Sequence, residues 1–220
     1  MVSRTVRTAV VALATSVALS GVPIRVAFAD QPARIEAARG TRTLGDEMVD
    51  FARKYLDTQY NVPGRLTSKY PGLDCLGLLF KVLQDKYGVS WTRWSYNPTT
   101  LVPQLSSEPK TYFASDYSRD PNGITNGLKK GDFVFFLWPR RNEEADGKLR
   151  EPAMARDRSG NQLWVWHTAM YAGDGRIIHA TPFDDNYKVV EEKLPAFMDR
   201  NGFVGFVAIT PDPKLIQRKK

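Results

Sequence analysis

The chain has 220 residues, with 31 basic and 24 acidic side chains and a single cysteine. That length holds one ordinary domain with a sizeable core. The net charge of +7 comes without the aromatic–basic motifs or zinc-finger spacings of nucleic-acid binders, so no nucleic-acid partner is expected. One cysteine also excludes a disulfide framework within the chain.

Residues 1–29 read apart from the rest. Arg4 and Arg7 give a positive start, an apolar run follows from Thr8 to Gly21, and Ala27-Phe28-Ala29 is a small-x-small pattern before Asp30. Together they predict a secretory signal peptide cleaved after Ala29. A spanning helix needs ~20 apolar residues. Gly21 and Pro23 break this run sooner, so no stable membrane span is expected in the mature form. The two arginines are not adjacent, unlike a twin-arginine signal, and no cysteine lies near the cleavage point for lipid attachment. Loss of Arg4, Arg7 and Arg25 lowers the positive excess by three, to about +4. Residues 30–43 are expected as a flexible linker and 211–220 as a solvated basic tail. The expected location is exported, in a periplasm or outside the cell at the wall.

In the remaining segment, 44–210, Met48, Phe51, Ala52 and Leu56 form a helical stripe. Residues 60–70 are polar and turn-rich. A second helix is predicted from Cys75, with Leu76, Leu79, Phe80, Leu83 and Tyr87 at helical spacing, Asp74 as N-cap and Gly88 as stop. Residues 90–125 hold four prolines among six aromatics and read as an ordered insertion with one short helix. Phe133 to Leu137 reads as a buried strand. Residues 140–162 are charged and read as a second insertion, an exposed loop. Strands follow at Leu163–Tyr171 and Arg176–Ala180, joined at Gly173-Asp174-Gly175, then at Val189-Val190 and Phe203–Ile209. Helices followed by a run of antiparallel strands argue for an α+β class. Trp164 and Trp166 are expected in the core, alternating with the face of His167. Trp91 and Trp94 are open between core and a sugar- or peptide-binding groove.

Cys75 at a helix N-terminus meets unpaired N–H groups and the positive end of the helix dipole, which favour a thiolate; Asp74 opposes this. The Cys75 N–H is free to serve an oxyanion hole. The chain has two histidines, His167 and His179, both in one predicted hairpin. A three-residue loop over 173–175, with Gly175 left-handed, sets His179 opposite Ala169 and diagonal to His167 on the same face. One imidazole then orients the other, in the order nucleophile, base, orienter. The alternatives are two ordinary strand histidines or a Cys/His/His zinc site. These spacings match none of the short zinc ligand pairs, so neither metal nor other cofactor is expected.

Asp74-Cys75-Leu76-Gly77, the strand entry at Leu128–Phe136 and the run from His167 to Ala180 resemble the NlpC-type family of cell-wall peptidases, a papain-like group. The resemblance covers roughly Leu44 to Ile209 outside the two insertions. It implies a papain-like fold with N-terminal helices on a central antiparallel sheet. It implies Cys75 as nucleophile, His167 as base and His179 as orienter. Tyr60 matches a tyrosine that the family sets near the substrate, so Tyr60 and Asp74 are the substrate or oxyanion candidates. Leu76 stands where the family carries serine. The implied reaction is hydrolysis of an amide in a peptidoglycan stem peptide, such as D-glutamyl-diaminopimelate, through an acyl-enzyme. Peptidoglycan or a peptide is the implied partner, and no oligomeric state follows. Three other readings stay open: a wall-binding protein with a decayed site, a metal-dependent hydrolase, and a papain-like amidase or acyltransferase on another substrate.

Overall fold

A computed structural model describes residues 42–116, 123–139, 152–183 and 187–217. The signal peptide, most of the linker, parts of both insertions (117–122 and 140–151) and the last three residues of the tail lie outside the described residues.

Helix α1 (Leu44–Arg53) starts at Thr43, which caps it in a reciprocal box with Asp46 and buries Met48, Val49 and Ala52. Helix α2 (Cys75–Tyr87) is capped by Asp74 and ends at Gly88, whose φ of 66° is the left-handed stop expected there. Its apolar stripe buries Leu78, Leu79, Phe80, Val82 and Leu83. Each such side chain contributes roughly 1.5–3 kcal/mol by leaving water.

The first insertion is more regular than its composition suggests. It forms a 3₁₀ turn (Trp91–Arg93), α3 (Pro98–Leu105), strand β1 (Lys110–Phe113), a second 3₁₀ turn (Ala114–Asp116) and α4 (Gly123–Asn126). Strand β1 joins the sheet edge against β7 (Gly205–Ile209). The remaining strands are β2 (Phe133–Trp138), β3 (Ala155–Arg156), β4 (Gln162–Gly173), β5 (Arg176–Thr181) and β6 (Lys188–Lys193). Two short helices, α5 (Leu194–Asn201) and α6 (Pro213–Ile216), complete the order. Among the described residues the sheet runs β1-β7-β2-β4-β5-β6, with β3 paired to β4. Its ladders are antiparallel. The class is α+β, as the order of elements predicts. The segment read as a basic tail begins with α6, where Ile216 is buried.

Each face of the sheet carries its own core. On one face, α1, α2 and α3 pack on Phe133, Phe135, Leu137, Met170, Ala172, Ile178 and Ala180. On the other, Ile124 of α4 and Leu194, Phe197 and Met198 of α5 pack on Val134, Phe136, Ala169, Tyr171 and Ile177. Alternation along β4 is broken once. Phe136 pairs with His167 but Leu137 pairs with Val165, so Trp166 is an extra residue, a β-bulge. The bulge puts Trp166 and His167 on the same face, where alternation alone sets them on opposite ones. Trp166 accordingly packs edge-to-face on Trp138, with ring centroids 5.1 Å apart.

Candidate active site

The end of α2 that carries Cys75 is built by its neighbours. Asp74 Oδ1 accepts the Gly77 N–H at 2.6 Å and Asp74 Oδ2 accepts the Gly64 N–H at 3.2 Å. The same carboxylate pairs with Arg65 Nη1 at 2.5 Å, and both side chains are largely buried. Gly77 is required here: a Cβ on it would lie 1.9 Å from the Gly64 carbonyl oxygen. Tyr60 lies in the preceding loop, half-buried. Burial first, then the negative charges of Cys75 and Asp74, push its phenol pKa up.

The Cys75 thiol meets β4 at Thr168, whose side chain and backbone favour its ionised form. The Thr168 hydroxyl is nonetheless buried without a hydrogen bond of ordinary geometry. Burial and the Asp74 charge outweigh Thr168 and push the thiol up to about 11. The thiolate expected from the helix end is therefore not favoured. Taking the sulfur out of water costs more than the helix terminus returns.

The imidazoles do meet. Met170 pairs with Ile178 and Tyr171 with Ile177, the register that sets His179 diagonal to His167. The turn reaches it differently from the three-residue loop expected. Asp174 (φ 52°) and Gly175 (φ 70°) form a two-residue turn, and the extra residue, Ala172, is a bulge between Tyr171 and Gly173. His167 Nε2 and His179 Nδ1 are 2.7 Å apart, and His179 Nε2 lies 2.9 Å from Glu192 Oε1. With Glu192 ionised, His179 Nε2–H donates to the carboxylate and its Nδ1 accepts from His167 Nε2–H. His167 Nδ1 is then the basic nitrogen of the chain. Burial of Glu192 raises its pKa, but the hydrogen bonds from His179 and Arg200 win and hold it below the usual range. His167 is buried, and that burial, with His179 beside it, holds its pKa well below the ordinary value, so the ring is neutral.

The structure thus brings together two groups: Tyr60, Asp74, Cys75 and Thr168 on the α2 face, and His167, His179 and Glu192 on the other. His167 rings with Phe136, Phe183 and Phe197 of the second core. Among the described residues no hydrogen bond joins the thiol to either imidazole. Glu192, Thr168 and Arg65 are the residues that sequence reasoning missed. The β5–β6 register could have found Glu192, since it pairs with Ile177, two residues from His179. No sequence signal distinguishes Arg65. Among the described residues no three His, Cys, Asp or Glu side chains converge as metal ligands, and no helix is long and apolar enough to cross a membrane.

No family model and no curated protein matches the chain. Several solved structures are similar in outline. The NlpC/p60 domain of the peptidoglycan hydrolase SagA shares 20% identity over 76% of this chain and 100% of its own, with a TM-score of 0.41. The peptidoglycan hydrolase RipB from Mycobacterium tuberculosis shares 16% identity over 80% of this chain and 71% of its own, with a TM-score of 0.39. NlpC1 from Trichomonas vaginalis shares 16% identity over 74% of this chain, with a TM-score of 0.43, and the chain spans 42% of its length.

Proposed function

We propose that the chain is an exported NlpC-type, papain-like cysteine peptidase that hydrolyses an amide bond in peptidoglycan stem peptides. The observation that carries this reading is the ordered motif set, with the chain's one cysteine opening a capped helix and its thiol touching the residue next to His167. In the reaction Cys75 Sγ attacks the amide carbonyl and His167 takes the thiol proton. His167 then gives that proton to the leaving amine. Water attacks the thioester, and a carboxylic acid and free thiol are released. Because the thiol is protonated at neutral pH, attack needs the base at the moment of bond formation.

His167 must therefore reach the α2 face. Two features of β4 permit it. From 164 to 169, β4 is paired with β2 alone among the described residues, since its β5 ladder stops at Met170↔Ile178 and its β3 ladder at Leu163. Moving the extra residue from Trp166 to Thr168 turns His167 opposite Phe135, on the thiol's face. The pairs Val134↔Ala169 and Leu137↔Val165 on either side are kept. In this reading burial and His179 keep His167 neutral in its resting position, Glu192 orients His179, and Tyr60 and Asp74 border the substrate.

A second reading is favoured by the same contact. A partly buried thiol held against Thr168, with both imidazoles on the other face, suits a wall-binding protein whose peptidase site has decayed. Incubation with purified sacculi decides between them. Soluble stem peptides released by wild type, and lost in Cys75→Ala and His167→Ala, support the peptidase. Sedimentation with sacculi and no released peptide sinks it.

A further inference from the structure

We propose that Arg65 is a positioning residue for Cys75. It offsets the negative charge next to the thiol and ties the 64–65 loop to the first turn of α2. The inference rests on the reading of Cys75 as a nucleophile.

Arg65 is held from every side. Its side chain is 3% exposed, with Nη1 2.5 Å from Asp74 Oδ2. The same nitrogen donates to the Gly64 carbonyl oxygen at 2.5 Å. The guanidinium carbon lies 4.8 Å from the ring centre of Tyr96, 5.4 Å from Phe80 and 5.9 Å from Trp91. These faces receive a cation favourably. Its Nε has no hydrogen-bond partner, so the site is not arranged to satisfy every donor of the guanidinium. What the geometry satisfies is the Asp74 carboxylate.

Asp74 is in conflict with its neighbour. The cap needs a side-chain acceptor at this position, and an ionised acceptor next to Cys75 disfavours the thiolate. Among the described residues three groups face the thiol besides the α2 backbone: Asp74 before it, Tyr60 from the loop and Thr168 from β4. Tyr60 stays protonated and Thr168 is uncharged, so Asp74 is the ionised member. A guanidinium on the far oxygen of Asp74 keeps the cap and opposes its field.

The test uses the full chain. Cys75 is its one cysteine, so iodoacetamide reports that thiol alone. Well below the thiol's midpoint, at about pH 9, the alkylation rate follows the thiolate fraction. A midpoint raised by about one unit in Arg65→Met then appears as a roughly tenfold slower rate. Arg65→Lys retains a rate near wild type. The double variant Arg65→Met/Asp74→Asn returns to the wild-type rate or above. A folded Arg65→Met that melts earlier but alkylates at the wild-type rate or faster overturns the inference, leaving Arg65 a structural clasp. Should Arg65→Met alone not fold, Asp74→Asn and the double variant carry the same comparison without a buried carboxylate. The single variant is then faster, and equal rates overturn the inference. Alkylation reads Arg65 whether or not a peptide bond is cut, and peptide release from sacculi judges the reaction separately.

Discussion

His167 Nε2 lies 2.7 Å from His179 Nδ1 on one face of the sheet, while Thr168, the next residue along β4, faces Cys75 on the other. Adjacent strand residues point to opposite faces, so one strand presents an imidazole to one core and a hydroxyl to the thiol. The Trp166 bulge decides which residue does which. Without the extra residue, Leu163, Val165 and position 167 would share the α2 face.

This register predicts a cross-linking pattern. Thr168→Cys, oxidised under mild conditions, forms a disulfide with Cys75, and neither thiol is then alkylated on mass analysis. His167→Cys in the resting register stays free. Efficient bridging of Cys75 to position 167 in the absence of substrate contradicts the resting arrangement and shows the bulge at Thr168 instead. Bridging at 167 only when stem peptide is added captures the proposed turn.

Burial of His167 predicts acid sensitivity. Its folded pKa lies well below that of the unfolded chain, which is ~6.5 for histidine. The unfolded state therefore binds the proton first. The stability contribution is present above about pH 6.5 and is lost as pH falls, by at most ~1.4 kcal/mol per pH unit. His167→Phe keeps a ring among Phe136, Phe183 and Phe197 and removes the titration. Urea unfolding from about pH 7 to pH 4 is expected to show a shallower loss in the variant. Equal slopes would place the acid response elsewhere.

Elements with one dominant local signal were legible in the sequence. The stripe from Leu76 to Tyr87 between Asp74 and Gly88 fixed α2 at both ends, because cap, stripe and stop agree. The hairpin register that unites His167 and His179 was expected from alternation and a three-residue loop, but a two-residue turn and the Ala172 bulge are what set it. Strand β1 was not legible: Lys110–Phe113 is short, follows prolines, and is a strand only because β7 offers it an edge. Helix α5 was missed for a similar reason, since Leu194–Asn201 gains its order from packing Phe197 on the second core. The separation of Cys75 from His167 was beyond reach too. It depends on one extra residue in a twelve-residue strand, and a bulge leaves no compositional trace.

The thiol predicts the alkaline limb. Cys75 is raised to about 11 by burial first and by Asp74 second, against ~8.5 for a free cysteine. Between these values the unfolded chain gives up its proton more readily, so this contribution to stability falls as pH rises through the window. Tyr55 and Tyr60, also raised by burial, push the same way at higher pH. Cys75→Ala should retain more of its neutral-pH stability than wild type between about pH 8.5 and 11. An identical alkaline decline in the two proteins would show that the folded thiol titrates normally.

Gly77 predicts the most direct link between packing and the thiol. An alanine Cβ there would meet the Gly64 carbonyl oxygen at 1.9 Å and Arg65 Nη1 at 2.9 Å. The first contact is backbone on backbone and cannot be relieved by a rotamer. Gly77→Ala must push the 64–65 loop off α2, strain that costs ~1–3 kcal/mol. Lifting that loop also uncovers the Asp74 cap and the neighbouring sulfur, so Cys75 alkylates faster in the variant while the chain remains folded. Gly88→Ala, at the other end of the helix with nothing within 4 Å of its added Cβ, carries backbone strain from its φ of 66° but leaves the alkylation rate unchanged. Equal effects of the two substitutions on the thiol would mean that the helix as a whole, and not the loop clasped to its first turn, encloses Cys75.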